Sequence, residues 1–134
     1  MPAIDEALRD PALLGSALGD PASWQTWLAV LRAAFGLGLT DEQQQLLVGV
    51  TGDRKPPPHR VRELWAIVGR RSGKSRMAAA LAVYQACFVK HHLSAGERGM
   101  VLVLAASTDQ ARVVFGLRRL FWKPRRSCAR RSPT

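Results

Sequence analysis

The sequence predicts an α/β protein, the beginning of a three-layer α/β/α sandwich that is preceded by a helical lead. Two short apolar runs, residues 64–68 and 100–105, have the form of strands that are buried on both faces of a parallel sheet. Between them, apolar side chains recur at helical spacing over residues 75–92. The order strand, loop, helix, strand, helix is that of one and a half βαβ units.

The helical lead is predicted to occupy residues 1–58. Asp20 followed by Pro21 marks a helix start, because Asp is a favoured N-cap and Pro is tolerated in the first turn. Large apolar residues then recur at helical spacing. Thr40 and Gln43 have the form of a capping box, which predicts a second helix.

The rest of the chain divides into two further segments. Three consecutive prolines within residues 51–59 exclude both helix interior and central strand, and they separate the lead from the core. The core is predicted to span residues 59–122 and to end in a helix that begins near Ser107. Residues 123–134 are basic and lack periodicity, so we expect a disordered or aberrant tail.

The charge is unevenly distributed along the chain. Residues 1–58 hold four basic and seven acidic residues, a balance of −3, whereas residues 59–134 hold sixteen basic and three acidic residues, a balance of +13. The basic charge of residues 59–134 indicates an anionic partner, and nucleic acid is the first candidate for it. Neither a signal peptide nor an apolar run of membrane-spanning length is present, which predicts a cytoplasmic protein without a membrane partner.

Residues 69–75 (GRRSGKS) form a candidate phosphate-binding motif at the point where the first predicted strand ends and a helix begins. A triphosphate is held well by backbone N–H groups at a helix N-terminus, and glycine allows the backbone to approach it closely. A lysine must reach the β and γ oxygens, and a hydroxyl must ligate Mg²⁺. Gly73, Lys74 and Ser75 supply these features, so the segment predicts a P-loop that binds ATP and Mg²⁺. The predicted nucleotide-binding residues of the loop are Gly69, Arg70, Arg71, Ser72, Gly73, Lys74 and Ser75.

The motif departs from the usual P-loop pattern at one position. The first glycine of G-x-x-x-x-G-K-[ST] is replaced by Val68, and Gly69 comes one residue late. The alternative interpretation is a basic turn between strand and helix that carries a surface lysine. This alternative leaves the strand before the turn and the long helix after it as a coincidence.

The shortened, arginine-bearing loop resembles the deviant P-loop of phage large terminases. Residues 39–43 (LTDEQ) are similar to the glutamine-containing segment that those proteins place before the loop. Residues 101–107, followed by Gln110 and Ala111, look like their second core strand, and the tryptophan-containing helix after Pro21 is similar to their N-terminal lead. The resemblance covers roughly residues 20–122.

The resemblance implies a role for each matching residue. Lys74 would hold the β- and γ-phosphates, Ser75 the magnesium ion, and Arg70 would act in cis on the γ-phosphate as a catalytic residue. Arg71 could take that part instead, and general attraction of phosphate is the alternative for both arginines. Gln43 would contact adenine, unless its capping box holds the side chain on the Thr40 backbone.

The resemblance also implies an activity and partners. Full-length large terminases hydrolyse ATP to move double-stranded DNA into the capsid, and they work in the host cytoplasm with the portal and the small terminase subunit. Oligomers are expected only of a full-length protein.

Two elements of such an enzyme are missing from the sequence. After Ser75 the acidic residues are Glu97 and Asp109, and neither directly follows a buried strand, so the acidic Walker B pair is absent. The carboxylates of a C-terminal nuclease are absent as well. We therefore expect an ATP-binding fragment that hydrolyses almost no ATP, encoded by a truncated or frame-disrupted gene.

Two other functions remain open at this point. One is a different P-loop NTPase, such as a helicase-like or partition ATPase. The other is a small basic nucleic-acid-binding protein without nucleotide chemistry. The motor interpretation requires residues 64–68 to lie in a sheet, and it requires the amides of residues 69–75 not to be consumed by a helix.

Overall fold

The computed structural model describes residues 1–121, and the elements of that part of the chain are helical. They are α1 (Ile4–Arg9), α2 (Gly15–Leu18), α3 (Gln25–Ala34), α4 (Asp41–Thr51), α5 (Lys74–Cys87) and α6 (Thr108–Phe121), with a 3₁₀ turn over Pro21–Trp24 before α3. The basic tail predicted for residues 123–134 lies outside the described residues.

The predicted helix starts at Asp20 and Thr40 carry a side-chain cap, whereas Gly73 precedes α5 without a side-chain cap hydrogen bond. Asp20 Oδ1 accepts a hydrogen bond from the Ala22 amide at 2.9 Å, at the entry to the 3₁₀ turn. The Thr40–Gln43 capping box is formed in both directions at the start of α4. These bonds satisfy amides that a helix leaves without internal partners, which explains why local sequence positions these helix starts correctly.

Helix α5 lies against α1 and α6 and contributes to one apolar core. Met77, Ala79 and Ala80 lie on its buried face. They pack with a cluster that includes Leu28 and Leu31 of α3. Since α3 and α5 share this core, the N-terminal lead and the beginning of α5 are held together by packing.

The predicted α/β/α sandwich is wrong, because residues 1–121 contain no β-strand. Residues 64–68 and 100–105, both predicted as strands buried on two faces, have no regular secondary structure. Trp65 is 84% exposed, Ile67 98% and Met100 91%. The incomplete P-loop NTPase core expected over residues 59–122 therefore lacks its sheet in the part that the structure describes.

The packing of the second run shows why the expectation of burial fails. Val103, which is half-buried, and Val101, which is 47% exposed, line an apolar pocket of about 250 Å³ against α5 and α6, whereas Met100, Leu102 and Leu104 are 78–91% exposed. This alternation is that of a chain with one side on the helices and the other side in solvent. Within residues 1–121, no second layer covers the outer side of these segments, and two short strands that pair alone are only marginally stable.

An ion pair and a hydrogen bond join the N-terminal residues to α3 and α5. Arg32 Nη1 of α3 lies 2.5 Å from Asp5 Oδ2 of α1 in a largely buried ion pair. Tyr84 of α5 donates a hydrogen bond from its hydroxyl to the Pro2 carbonyl at 3.0 Å. Burial raises the pKa of Tyr84 above its ordinary value of 10.0; Arg60 lowers it, and the charges of Asp5 raise it further.

In the part of the chain that the structure describes, no helix has both the length and the apolar character needed to cross a bilayer.

Candidate phosphate-binding site

The loop before α5 turns through two residues with left-handed backbone conformation. Arg71 has φ of 62° and Gly73 has φ of 77°. Gly73 is the N-cap of α5, which begins at Lys74. Left-handed residues at the start of a helix give the backbone the concave shape that is found in anion-binding nests.

The main-chain amides of this turn are available to a ligand. Within residues 1–121, the N–H groups from Arg70 to Arg76 donate no hydrogen bond, and the first amide that does so is that of Met77, to the Gly73 carbonyl at 2.9 Å. The dipole of a fourteen-residue helix adds positive potential at the same end. The segment over residues 69–73 is a turn and not helical.

An open pocket of about 410 Å³ lies over this turn. That volume is in the range of small-molecule sites, roughly 300–1,000 Å³. The cationic side chains in the lining are Arg71, Lys74 and Arg76, and the lining contains no carboxylate. The complete lining is Trp24, Arg71, Ser72, Gly73, Lys74, Ser75, Arg76 and Leu117.

Contacts from the N-terminal lead hold the loop in place. Trp27 Nε1 donates a hydrogen bond to the Ser72 carbonyl at 2.8 Å. Inside the loop, Ser72 Oγ donates to the Gly69 carbonyl at 2.8 Å. The ring of Trp24 lies against Gly73 so closely that an added Cβ would stand 2.4 Å from Trp24 Cζ3.

The structure brings five of the eight predicted binding residues together in the pocket lining. These are Arg71, Ser72, Gly73, Lys74 and Ser75. Lys74 and Arg71 are exposed, whereas Ser75 is half-buried.

The other three predicted residues lie outside the lining. Gly69 and Arg70 belong to the exposed approach to the turn. Gln43 is buried in its capping box, where its Oε1 accepts a hydrogen bond from the Thr40 amide at 3.1 Å. Of the two arginines, Arg71 lines the pocket and Arg70 does not. The cis role of Arg70 and the adenine contact of Gln43 stay predictions.

Sequence analysis missed four residues of the site. Trp24 and Trp27 were interpreted as the apolar face of a helix, although the N–H of a buried indole usually needs an acceptor, which could have signalled a second contact. Arg76 and Leu117 join the lining through helix packing, and no local pattern in the sequence indicated them.

Ser75 is the candidate ligand for Mg²⁺ in this pocket. Mg²⁺ keeps several water molecules in protein sites and is held largely by substrate phosphates, so one hydroxyl is compatible with an ion that enters with a nucleotide. Among residues 1–121, no group of three or more His, Cys, Asp or Glu side chains is arranged to hold a metal ion by itself.

Comparison with protein-family models, with curated proteins and with solved structures found no match for this chain.

Proposed function

We propose that residues 70–76 bind the phosphate groups of a nucleoside triphosphate, with Mg-ATP as the ligand. The observation that carries this proposal is the row of unconsumed main-chain amides at the N-terminus of α5, in a pocket with three cationic side chains and no carboxylate. Backbone amides and a helix dipole attract phosphate without any further catalytic group.

Four residues of the lining have a defined part in this proposal. Lys74 neutralises the terminal phosphates, since its cationic side chain lines the pocket over the turn. Ser75 ligates Mg²⁺, and Arg71 attracts the γ-phosphate. Gly73 gives the left-handed turn that lets the backbone approach the ligand.

Binding is expected to exceed turnover by a wide margin. Hydrolysis needs a carboxylate that helps to hold the metal and another group that orients the attacking water. No carboxylate stands in the pocket lining. We therefore propose an ATP-binding chain that has little hydrolytic activity by itself.

The wider assignment to a phage large terminase depends on the resemblance of residues 20–122 alone. Its requirement for a strand over residues 64–68 is not met, so DNA translocation forms no part of the function proposed from this geometry. The DNA downstream of codon 122 tests the expectation of a truncated or frame-disrupted gene. If no other reading frame there resumes an apolar strand that ends in Asp-Glu, that expectation loses its main support.

A thermal-shift titration tests the binding proposal. A ligand that binds only the folded state at 100 times its dissociation constant stabilises it by about 2.7 kcal/mol. Mg-ATP and tripolyphosphate should both raise the melting temperature, whereas adenosine should not. Lys74→Ala should remove most of the shift, and Lys90→Ala, at an exposed lysine outside the pocket, should retain it.

The same experiment separates the proposal from its alternative. An equal shift in the wild type and in Lys74→Ala would place the ligand elsewhere. Salt-dependent DNA binding that disappears on deletion of residues 123–134, without any response to ATP, would favour the basic nucleic-acid-binding protein.

A further inference from the structure

One hydrogen bond from another element reaches the phosphate-binding turn in the described part of the chain. It joins Trp27 Nε1 of α3 to the Ser72 carbonyl oxygen at 2.8 Å, across 45 positions of sequence. Its donor is fixed on a helix that is packed into the core, because Leu28 and Leu31 of the same helix are almost completely buried. The bond therefore fixes a loop carbonyl to a rigid support.

The position of this carbonyl determines where the next amide points. In a trans peptide, the C=O and N–H bonds lie in one plane and point in opposite directions. The structure has no cis peptide bonds in its described part. With the Ser72 oxygen held toward Trp27, the Gly73 N–H points in the opposite direction, away from Trp27. The same bond keeps a carbonyl oxygen, which would repel phosphate, turned toward the indole.

Trp24 supports the same peptide from a second direction. Its ring lies where a side chain of residue 73 would begin, with Cζ3 and Cη2 at 2.4 and 2.5 Å from an ideal Cβ position. The ring is itself held, because Trp24 Nε1 donates to the Leu18 carbonyl at 2.8 Å. The Gly73 main chain thus rests against a fixed aromatic surface that also lines the pocket.

We propose that Trp27 is a positioning residue for phosphate binding, which it supports by orienting the Ser72–Gly73 peptide, and that Trp24 supports Gly73 in the same turn. This inference rests on the proposed function and adds that two tryptophans of the helical lead hold the phosphate-binding turn in position. Neither indole N–H touches the ligand, since both are engaged with main-chain carbonyls.

The test compares ligand affinity in variants of the complete chain. Trp27→Phe keeps an aromatic ring and removes the N–H, and isothermal titration with Mg-ATP and with tripolyphosphate gives the dissociation constants. The loss of one hydrogen bond predicts binding that is roughly two- to tenfold weaker for both ligands. Trp65→Phe, at an 84% exposed tryptophan, is the matched control and should bind as the wild type does.

A second variant keeps the test decisive if Trp27→Phe does not fold. Replacement of Trp27 by benzothienylalanine exchanges the indole N–H for sulfur and retains the shape of the ring. Weaker binding of both ligands, measured well below the melting temperature of the variant and with an unchanged circular dichroism spectrum, supports the positioning role, because a loss of stability alone would leave the affinity of the folded chain unchanged.

The outcomes separate this inference from the proposed function. If the wild type binds neither ligand, the proposed function fails. If the wild type binds both ligands and the benzothienyl variant binds them equally well, the proposed function stands and the role of Trp27 is refuted.

Discussion

Replacement of Gly73 by alanine perturbs the phosphate-binding turn in two ways that the structure allows us to quantify. Gly73 has φ of 77°, and a left-handed conformation costs a residue with a Cβ about 1–2 kcal/mol. The added Cβ would also stand 2.4 Å from the Trp24 ring, so ring or backbone must move. Overpacking of this kind costs about 1–3 kcal/mol. The total predicted loss in the free energy of unfolding is therefore about 2–5 kcal/mol.

A double-mutant cycle separates the two contributions. Urea denaturation followed by far-UV circular dichroism gives the free energy of unfolding of the wild type, Gly73→Ala, Trp24→Leu and the double variant. Leucine lacks the ring atoms that meet the new Cβ. In the Trp24→Leu background, Gly73→Ala should thus cost only the conformational part, about 1–2 kcal/mol.

Two results would refute this reasoning. An equal cost of Gly73→Ala in both backgrounds would mean that the Trp24 ring does not lie against Gly73. A cost below about 0.5 kcal/mol in the wild-type background would mean that residue 73 is not held in a left-handed conformation. Either result would also remove the support for the positioning of the turn by the helical lead.

Three further predictions concern the fold that carries the site. Arg32→Ala should lower the free energy of unfolding by about 2–3 kcal/mol, because it leaves the largely buried Asp5 carboxylate without its cation. Arg112→Ala, which removes an exposed ion pair, should change the free energy of unfolding by less than about 0.5 kcal/mol in the same urea series. Burial raises the pKa of Tyr84, so its neutral form stabilises the fold fully below pH 10.0, and this contribution is lost as the pH rises through the pKa of the folded state. In Tyr84→Phe, the free energy of unfolding should therefore depend less on pH in the alkaline range. Ile67→Lys should leave the melting temperature nearly unchanged, since the side chain is 98% exposed, and a large loss would indicate that residue 67 is buried after all.

The helix starts near Asp20, Thr40 and Ser107 could be predicted from the sequence because their signals are local, whereas α1 and α2 were not predicted as separate helices. Thr40 and Gln43 cap α4 through bonds between residues three apart, and the sequence contains both partners within one turn. The predicted strands failed for the opposite reason. Strand pairing and burial depend on partners far away in sequence, and an apolar run such as residues 64–68 does not reveal whether another layer covers it.

In the candidate site, the sequence likewise indicated the residues that are neighbours in the chain and did not indicate the contacts between distant segments. Gly73, Lys74 and Ser75 were predicted as binding residues because phosphate binding needs these residue types in consecutive order, and the structure places all three in one pocket lining. The Trp27–Ser72 bond spans 45 positions, and no spacing rule connects them. The placement of Arg71 in the pocket lining and its left-handed φ became visible only in three dimensions, and which arginine acts on the γ-phosphate stays a prediction.

The central claim is that main-chain amides at the start of α5 grip phosphate, and a titration of the ¹⁵N-labelled chain followed by amide NMR tests it most directly. On addition of Mg-ATP, the amide signals of residues 70–76 should shift together and saturate with one dissociation constant, and tripolyphosphate should shift the same signals. Saturating shifts confined to other parts of the chain, or no shift at millimolar ligand, would contradict the claim.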